Sequence, residues 1–470
     1  MPAAPRSFRR FLAPLLVALL TVPLAIYIGR APLSQPLLAA AAALLFAAAF
    51  AHAEAGLVIL VGSMLLSPEV PLGAAGAGGL EASRSVILRT EDLVLLLVGL
   101  GWLARMAIHK DLGATRRSRL NAAIALYVAC CLGSTLLGIE AGRVKPLVGL
   151  CYVAKYVEYF FIFFMTLNHV RTPERLGRIL LALLATASII VSYAWWQVPH
   201  GVRPSAPFEG TQGEPNTLGG YLVLVTAIAA ALALHAPTVR FRRGTAILAL
   251  GAVPPLLLTL SRSSWLGLAA ALAVLAALSP RRGRLLACAA AGVAVLVLAM
   301  PERLEERVRY TFTPEGSDAV QVGRVRLDAS SSARLHSWQE ALAGFERHPI
   351  LGWGITGYGF LDAQYFRVLV EIGAVGALAF GALLYGCARL FLEVRHTAAD
   401  PLHRALGLGL CAGFAGLLAH AVGTNTFLLI RIMEPFWMLT ALAAASLEMP
   451  AAVSAPARTP VAVPAFGAAA

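Results

Sequence analysis

Apolar runs long enough to cross a bilayer recur along almost the whole chain, and short polar segments separate them. A span needs about 17–25 mostly apolar residues. That pattern predicts helices near 11–29, 36–53, 55–72, 91–108, 120–138, 146–167, 179–198 and 217–235. The series continues near 245–260, 264–279, 285–300, 365–388, 404–424 and 426–446. The expected fold class is therefore an all-α polytopic membrane protein, a bundle of about 12–14 transmembrane helices. Residues 1–300 would hold about 11 of them, with an external loop at 199–216. A large polar loop follows at 301–364, then C-terminal spans over 365–447. The Pro- and Ala-rich tail 448–470 is expected to be disordered.

Charge gives this pattern a direction. The basic opening RSFRR resembles a signal-peptide start, but the apolar run after it is long enough to span and more spans follow. Alternate connections carry Arg6/Arg9/Arg10, Lys110/Arg116/Arg117/Arg119, Arg171/Arg175/Arg178, Arg240/Arg242/Arg243, Arg281/Arg282/Arg284 and Arg389/Arg395/Arg404. The opposite loops hold scattered cations such as Arg30, Arg84, Arg143 and Lys145. Clusters of Lys and Arg in short loops mark the cytoplasmic side. Both termini are thus expected in the cytoplasm and 301–364 outside, in the periplasm of a Gram-negative cell.

Composition agrees, with 59% hydrophobic and only 13% charged residues, against about 45–50% and 25% in soluble domains. The net charge of +13 is then a topology signal; a nucleic-acid reading would need a basic soluble domain. The six cysteines (130, 131, 151, 288, 387 and 411) lie in or beside apolar runs and match no zinc or disulfide framework. They read as small buried hydrophobes.

Three polar interruptions stand out before the large loop. The loop HGVRPSAPFEGTQGEPN ends in Glu214-Pro215-Asn216 at a helix entrance, where Asn216 fits an N-cap. Ser261-Arg262-Ser263-Ser264 breaks an apolar stretch at the outer boundary, and an Arg at that depth faces a cavity or a partner. Lys155 and Glu158 sit three apart within one span, where they can neutralise each other.

The large loop gathers Arg, His, Tyr, Trp and carboxylates in an otherwise Leu/Ala/Val chain. Its opening, residues 301–312, reads as a short amphipathic helix along the membrane interface. Residues 334–347 place Leu335, Trp338, Leu342 and Phe345 at helical spacing, a packing stripe. His348-Pro349 ends that helix, and His348 reads equally as a helix-end residue. The run GWGITGYG lacks a preceding strand and a GK[ST], so it is not a nucleotide loop. Its glycines serve tight turns. Asp362, Tyr365 and Arg367 then lead into a span that contains Glu371.

An Arg, then W-x-x-A-L, H-P-I-L-G-W-G and D-A-Q-Y-F-R-V-L-V-E-I-G-A-V-G appear in that order. Upstream stand E-P-N-T-L-G-G-Y-L at 214–222 and L-S-R-S-S-W-L-G at 260–267. This ordered set, over roughly residues 200 to 380, resembles the O-antigen ligase and O-antigen polymerase-like superfamily. The resemblance implies a GT-C-type glycosyltransferase of the bacterial inner membrane. It would move glycan from undecaprenyl diphosphate to an acceptor hydroxyl of a glycan or of lipid A-core, without cofactor or metal. A chain-length regulator is an expected partner, and nucleic acid is not.

Arg pairs with phosphate oxygens through its two-pronged guanidinium. Arg262 and Arg334 are therefore expected to hold the diphosphate, with Arg367 and Arg203 as further candidates. Glu214, Asn216, His336 and Tyr365 are expected to line the substrate. The acceptor hydroxyl needs a base, and His336, His348, Asp362 and Glu371 remain open for that role. Ligases of the superfamily typically show His-Asn before the last motif's Tyr-Leu. Here Asp362-Ala363 stands there instead, followed by Gln364, Tyr365 and Phe366. This favours a polymerase of lipid-linked repeat units over a ligase. A transporter or flippase of lipid-linked sugars is the third reading, and the chain lacks the repeated halves common in that class.

Overall fold

A computed structural model describes residues 34–71, 87–108, 116–208, 213–298, 321–322, 325–326, 329–359 and 361–449. The expected first span at 11–29, the interfacial helix at 301–312 and tail residues 450–470 lie outside that set. Fourteen helices are found among the described residues, and the only strands are two short antiparallel ladders. Seven of the helices are long and apolar enough to cross a membrane. The chain is an all-α integral membrane protein, as its apolar runs predict.

The helices divide between two compact units. One comprises residues 1–63 and 90–114, the other 64–89 and 115–470. In the first, α1 (Ser34–Ala51), α2 (Ala53–Leu66) up to Ser63, and α3 (Thr90–Ile108) pack through small residues. A Cβ on Gly101 would lie 3.2 Å from the Phe46 carbonyl oxygen. Arg105, in the last turns of α3, donates to the Phe50 and Ala51 carbonyls at the end of α1 (2.9 and 2.6 Å).

The second unit begins with the ladder β1 (Glu69–Pro71) and β2 (Ile87–Arg89). It continues through α4 (Asn121–Glu140), α5 (Pro146–His169), α6 (Pro173–Gln197), α7 (Pro215–His235), α8 (Val239–Leu258), α9 (Arg262–Leu278) and α10 (Arg282–Leu298). The ladder β3 (Gln321–Val322) and β4 (Val325–Arg326) precedes α11 (Ala329–Arg347). Then come α12 (Gln364–Thr397), α13 (Pro401–His420) and α14 (Ile430–Ser446). Four spans open on proline at their first position, Pro146, Pro173, Pro215 and Pro401, where a missing N–H costs nothing. Ser261 and Asp400 cap α9 and α13 with their side chains.

One end of this unit is lined with cations that close helix C-termini. Arg281 donates to the Leu234 carbonyl, Arg395 to Leu278 (2.8 Å), and Arg116 to Leu167 and Val170 (3.3 and 3.2 Å). Positive charge is favoured there because the last carbonyls are unpaired and negative. Arg116 also pairs with Glu448. The first residues of the expected tail, Glu448 and Met449, are therefore held, and Met449 is buried.

The buried centre is α7, enclosed by α8, α9 and α13. Gly409 and Gly413 of α13, four apart, bring its backbone against Ile228 and Leu224 of α7, the close approach that small residues permit in membranes. Lys155 and Glu158 do pair on α5, at 3.0 Å.

The expected span 365–388 is longer than predicted and is broken. Gly373 sits at φ +67° inside α12. The loop after α11 completes the broken hydrogen bonding: Trp353 and Gly354 donate to the carbonyls of Val370 and Glu371 (3.0 and 2.8 Å). In return, Ala374 and Val375 donate to those of Pro349 and Ile350 (2.8 and 3.2 Å). The glycine-rich loop thus plugs into the helix break. Gly352, at φ +73°, lies against Glu371, and a Cβ on Gly373 would come within 2.3 Å of the Ile350 carbonyl oxygen. Gly373→Ala is expected to lower the thermal midpoint of the detergent-purified protein, since a non-glycine residue held at φ +67° and ψ −171° alone costs on the order of 1–3 kcal/mol. Gly381→Ala, whose Cβ would meet nothing within 4 Å, serves as the neutral control.

On α11 the expected stripe is only partly right. Trp338 stacks on Phe366 (5.0 Å) and Ala341 is buried, but Leu342 is 45% exposed. The helix packs through its small residues instead, because the Tyr358 ring fills the space over Gly344.

Candidate active site

The polar groups that matter meet at the end of the second unit opposite the cation-lined helix termini. The chain leaves α8 through Leu260, at φ +52°, and Ser261 then caps α9 by accepting from the Ser264 N–H (3.3 Å). Gly219 of α7 leaves room for Ser264, whose hydroxyl would otherwise meet a Cβ. The two upstream motifs, 214–222 and 260–267, are therefore packed on each other. Arg203 donates to the Thr259 carbonyl just before the turn.

The helix cap differs from the expected one. Glu214 holds the N-cap position and Pro215 the first helical one, so Asn216 lies inside the first turn of α7. Proline suits that first position better than any residue needing a bonded N–H. The Glu214 carboxylate accepts from the Thr217 hydroxyl (2.8 Å).

Arg334, near the start of α11, points its guanidinium at Asp362, with 3.8 Å between Nη2 and Oδ2. Gly423 lies beneath it: a Cβ there would be 3.3 Å from Arg334 Nη1 and 2.4 Å from the Ser263 hydroxyl. Ser263, the residue after Arg262, and Arg334 thus approach the same glycine. Burial raises the pKa of Asp362 above its ordinary range. Arg334 and Arg367 pull it down, and Glu214 pushes it up. A half-buried carboxylate with a raised pKa beside cations is suited to accepting a proton.

The floor of the site is the turn between α13 and α14, which escaped the sequence reading. His420 is fully buried, with Nδ1 beside the hydroxyls of Thr426 (2.8 Å) and Thr424 (3.0 Å). Asn425 donates to the Leu361 carbonyl (2.7 Å) next to Asp362. Gln364 accepts from the Phe427 N–H (3.0 Å). The signal was present as H-A-V-G-T-N-T, a polar break between two apolar runs.

The remaining expected residues are placed elsewhere. Glu371, 4% exposed, accepts from the Thr356 N–H (3.0 Å) and from Arg367 Nε (3.1 Å). That pair anchors the glycine-rich loop about two turns into α12. Tyr365 donates its hydroxyl to the Leu418 carbonyl (2.7 Å), and His336 is exposed on α11. His348 is not part of the Arg334–Asp362 group; its ring accepts from Arg143 (2.9 Å to Nε2) in a separate groove. Among the described residues, no group of three or more His, Cys, Asp or Glu could hold a metal ion.

Residues 255–381 match the model of the O-antigen ligase family. No curated protein matches the chain. The matched stretch runs from the end of α8 into α12 and contains Arg262, Arg334, His336, His348, Asp362, Tyr365, Arg367 and Glu371. Arg203, Glu214, Asn216 and His420 lie outside it. The match supports an enzyme of ligase or polymerase type, acting on lipid-linked glycan and an acceptor. Over residues 255–381 this integral membrane protein is thus similar to the O-antigen ligase family, in agreement with the superfamily its ordered motifs resemble.

Proposed function

We propose that the protein is a polysaccharide polymerase joining oligosaccharide repeat units carried on undecaprenyl diphosphate, at the periplasmic face of the inner membrane. The observation that carries this reading is the Arg334–Asp362 pair, with Arg334 and Ser263 both against Gly423, inside the matched stretch that also holds Arg262. Cations closing the helix ends opposite this site support cytoplasmic termini and a periplasmic 301–364 loop.

In the reaction, the acceptor hydroxyl oxygen bonds to the anomeric carbon of the donor sugar. The bond from that carbon to the diphosphate oxygen breaks, and its electron pair leaves with the diphosphate. Arg334 and Arg262 hold the departing charge through guanidinium–phosphate bonds. Asp362 takes the hydroxyl proton. Arg203 and Glu214 line the approach, and His420 with its threonines holds the floor.

A ligase transferring finished glycan to lipid A-core is the second reading, favoured by the description of the matched family. Deletion of the gene separates them. Loss of a polymerase leaves single repeat units on the lipid carrier or on the core, whereas loss of a ligase strands long chains on the carrier. Gels of surface glycan and mass spectrometry of lipid-linked intermediates read the difference. An unchanged pattern of both would overturn the transferase reading.

A further inference from the structure

A second polar site lies where α4 ends and the glycine-rich loop begins. A groove of about 650 Å³ is lined there by Leu137, Glu140, Arg143, Arg347, His348 and Ile350, among others. None of Arg262, Arg334 or Asp362 is among its lining residues. Arg143 is held in place: its guanidinium lies 5.7 Å from the Trp353 ring centre and donates to His348. His348 itself packs edge-on against Trp353, at 4.6 Å. The Nε of Arg143 is shut off from solvent and has no hydrogen-bond partner among the described residues. Arg347 closes α11, where a cation complements the helix end. That accounts for its charge but not for its place in the same groove as Arg143. Glu140 is the one carboxylate in the lining, and it forms no ion pair with either arginine among the described residues.

The apolar side of the groove continues onto exposed hydrophobic surface. Leu137, Ile350 and Leu351 are 44%, 66% and 41% exposed, and Leu147 of the next span is 76% exposed. On a spanning bundle such surface faces acyl chains. Two cations lining a groove with apolar walls, one of them held in place, complement a phosphate at the head of a hydrocarbon chain.

We propose that this groove binds the phosphate head group of an anionic phospholipid of the surrounding bilayer, with Arg143 and Arg347 on the phosphate and the acyl chains along Leu137, Ile350 and Leu351. His348 orients Arg143 as the acceptor of its hydrogen bond. Burial and the neighbouring guanidinium lower its pKa, which keeps the ring able to accept. The lipid would steady the same loop that plugs the break in α12, since His348 and Pro349 belong to both. The proposal does not depend on which glycan is transferred.

The test uses the full chain purified in detergent and native mass spectrometry with phosphatidylglycerol, phosphatidylcholine or inorganic phosphate added. Retention of phosphatidylglycerol over phosphatidylcholine is expected, with no competition from millimolar inorganic phosphate. Arg143→Gln/Arg347→Gln should reduce phosphatidylglycerol retention by about a hundredfold, about tenfold for each charge-assisted bond lost. Arg347→Gln alone changes an exposed side chain and should give a smaller loss in a protein whose melting is unchanged. Equal retention of the two lipids, or undiminished phosphatidylglycerol binding in the double variant, would overturn the proposal. So would free phosphate displacing the lipid. Loss of lipid-diphosphate donor binding with phosphatidylglycerol retention intact would reassign the groove to the substrate. Failure of the transferase reading would instead appear as unchanged glycan in the deletion strain, with lipid retention unaffected.

Discussion

Arg334→Ala is expected to lower glycan transfer by about 10²–10³-fold, the usual effect of removing one positioned donor from a developing negative charge. The protein should still insert and fold. The side chain is about a quarter exposed, and among the described residues it lies against Asp362, at 3.8 Å, and Gly423. Arg334→Lys keeps the charge but not the two-pronged geometry, and should recover only part of the activity. Complementation of a deletion strain, with surface glycan quantified against protein level, checks both. Full activity in Arg334→Ala would remove the residue from the diphosphate site. Asp362→Asn adds a pH signature. The wild-type rate should fall with decreasing pH as Asp362 gains its proton, and burial places that limb above the ordinary carboxylate range. In Asp362→Asn the rate should be low and this limb absent.

Arg431→Met should have the largest effect on stability. Arg431 is fully buried in α14 and donates to the carbonyls of Pro207 (2.7 Å) and Ser67 (3.1 Å). Glu434, one turn along, is also fully buried. Removing the cation leaves both carbonyls without that donor in the interior, at a cost of about 1–3 kcal/mol for each. A lower thermal midpoint and poor recovery from detergent are the expected results. Arg119→Ala makes the contrast. Arg119 pairs with Glu393, but its side chain is 75% exposed, and pairs of that kind contribute about 0–1 kcal/mol. Equal losses in the two variants would show that Arg431 does not hold the loop 199–208 to the bundle.

The two predictions differ in how far their residues could be read beforehand. Arg334 and Asp362 were legible because they belong to an ordered set of motifs with unusual polarity. Arg431 and Glu434 stand just as openly inside a predicted span, where charge is costly, yet nothing nearby in sequence names their partners. Pro207 and Ser67 are more than two hundred residues away. His420 was missed for a related reason. Its turn lies between two runs read as separate spans, and its importance comes from its position under Gly423 and Asp362.

The sequence by itself determined that the chain is a helical membrane protein, where most spans run, and which stretches carry chemistry. Those features follow from local composition: apolar length, prolines at helix starts and cations near helix ends. Only the tertiary structure decided which polar groups share a site. It joined Arg334 to Asp362, set Glu371 to anchoring a loop through Arg367 and Thr356, and moved His348 into a groove with Arg143. It also broke α12 at Gly373, because the donors and acceptors that make such a break tolerable come from residues 349–354. Each of these outcomes depends on hydrogen bonds between segments far apart in the chain, and helical periodicity holds no information about such pairings.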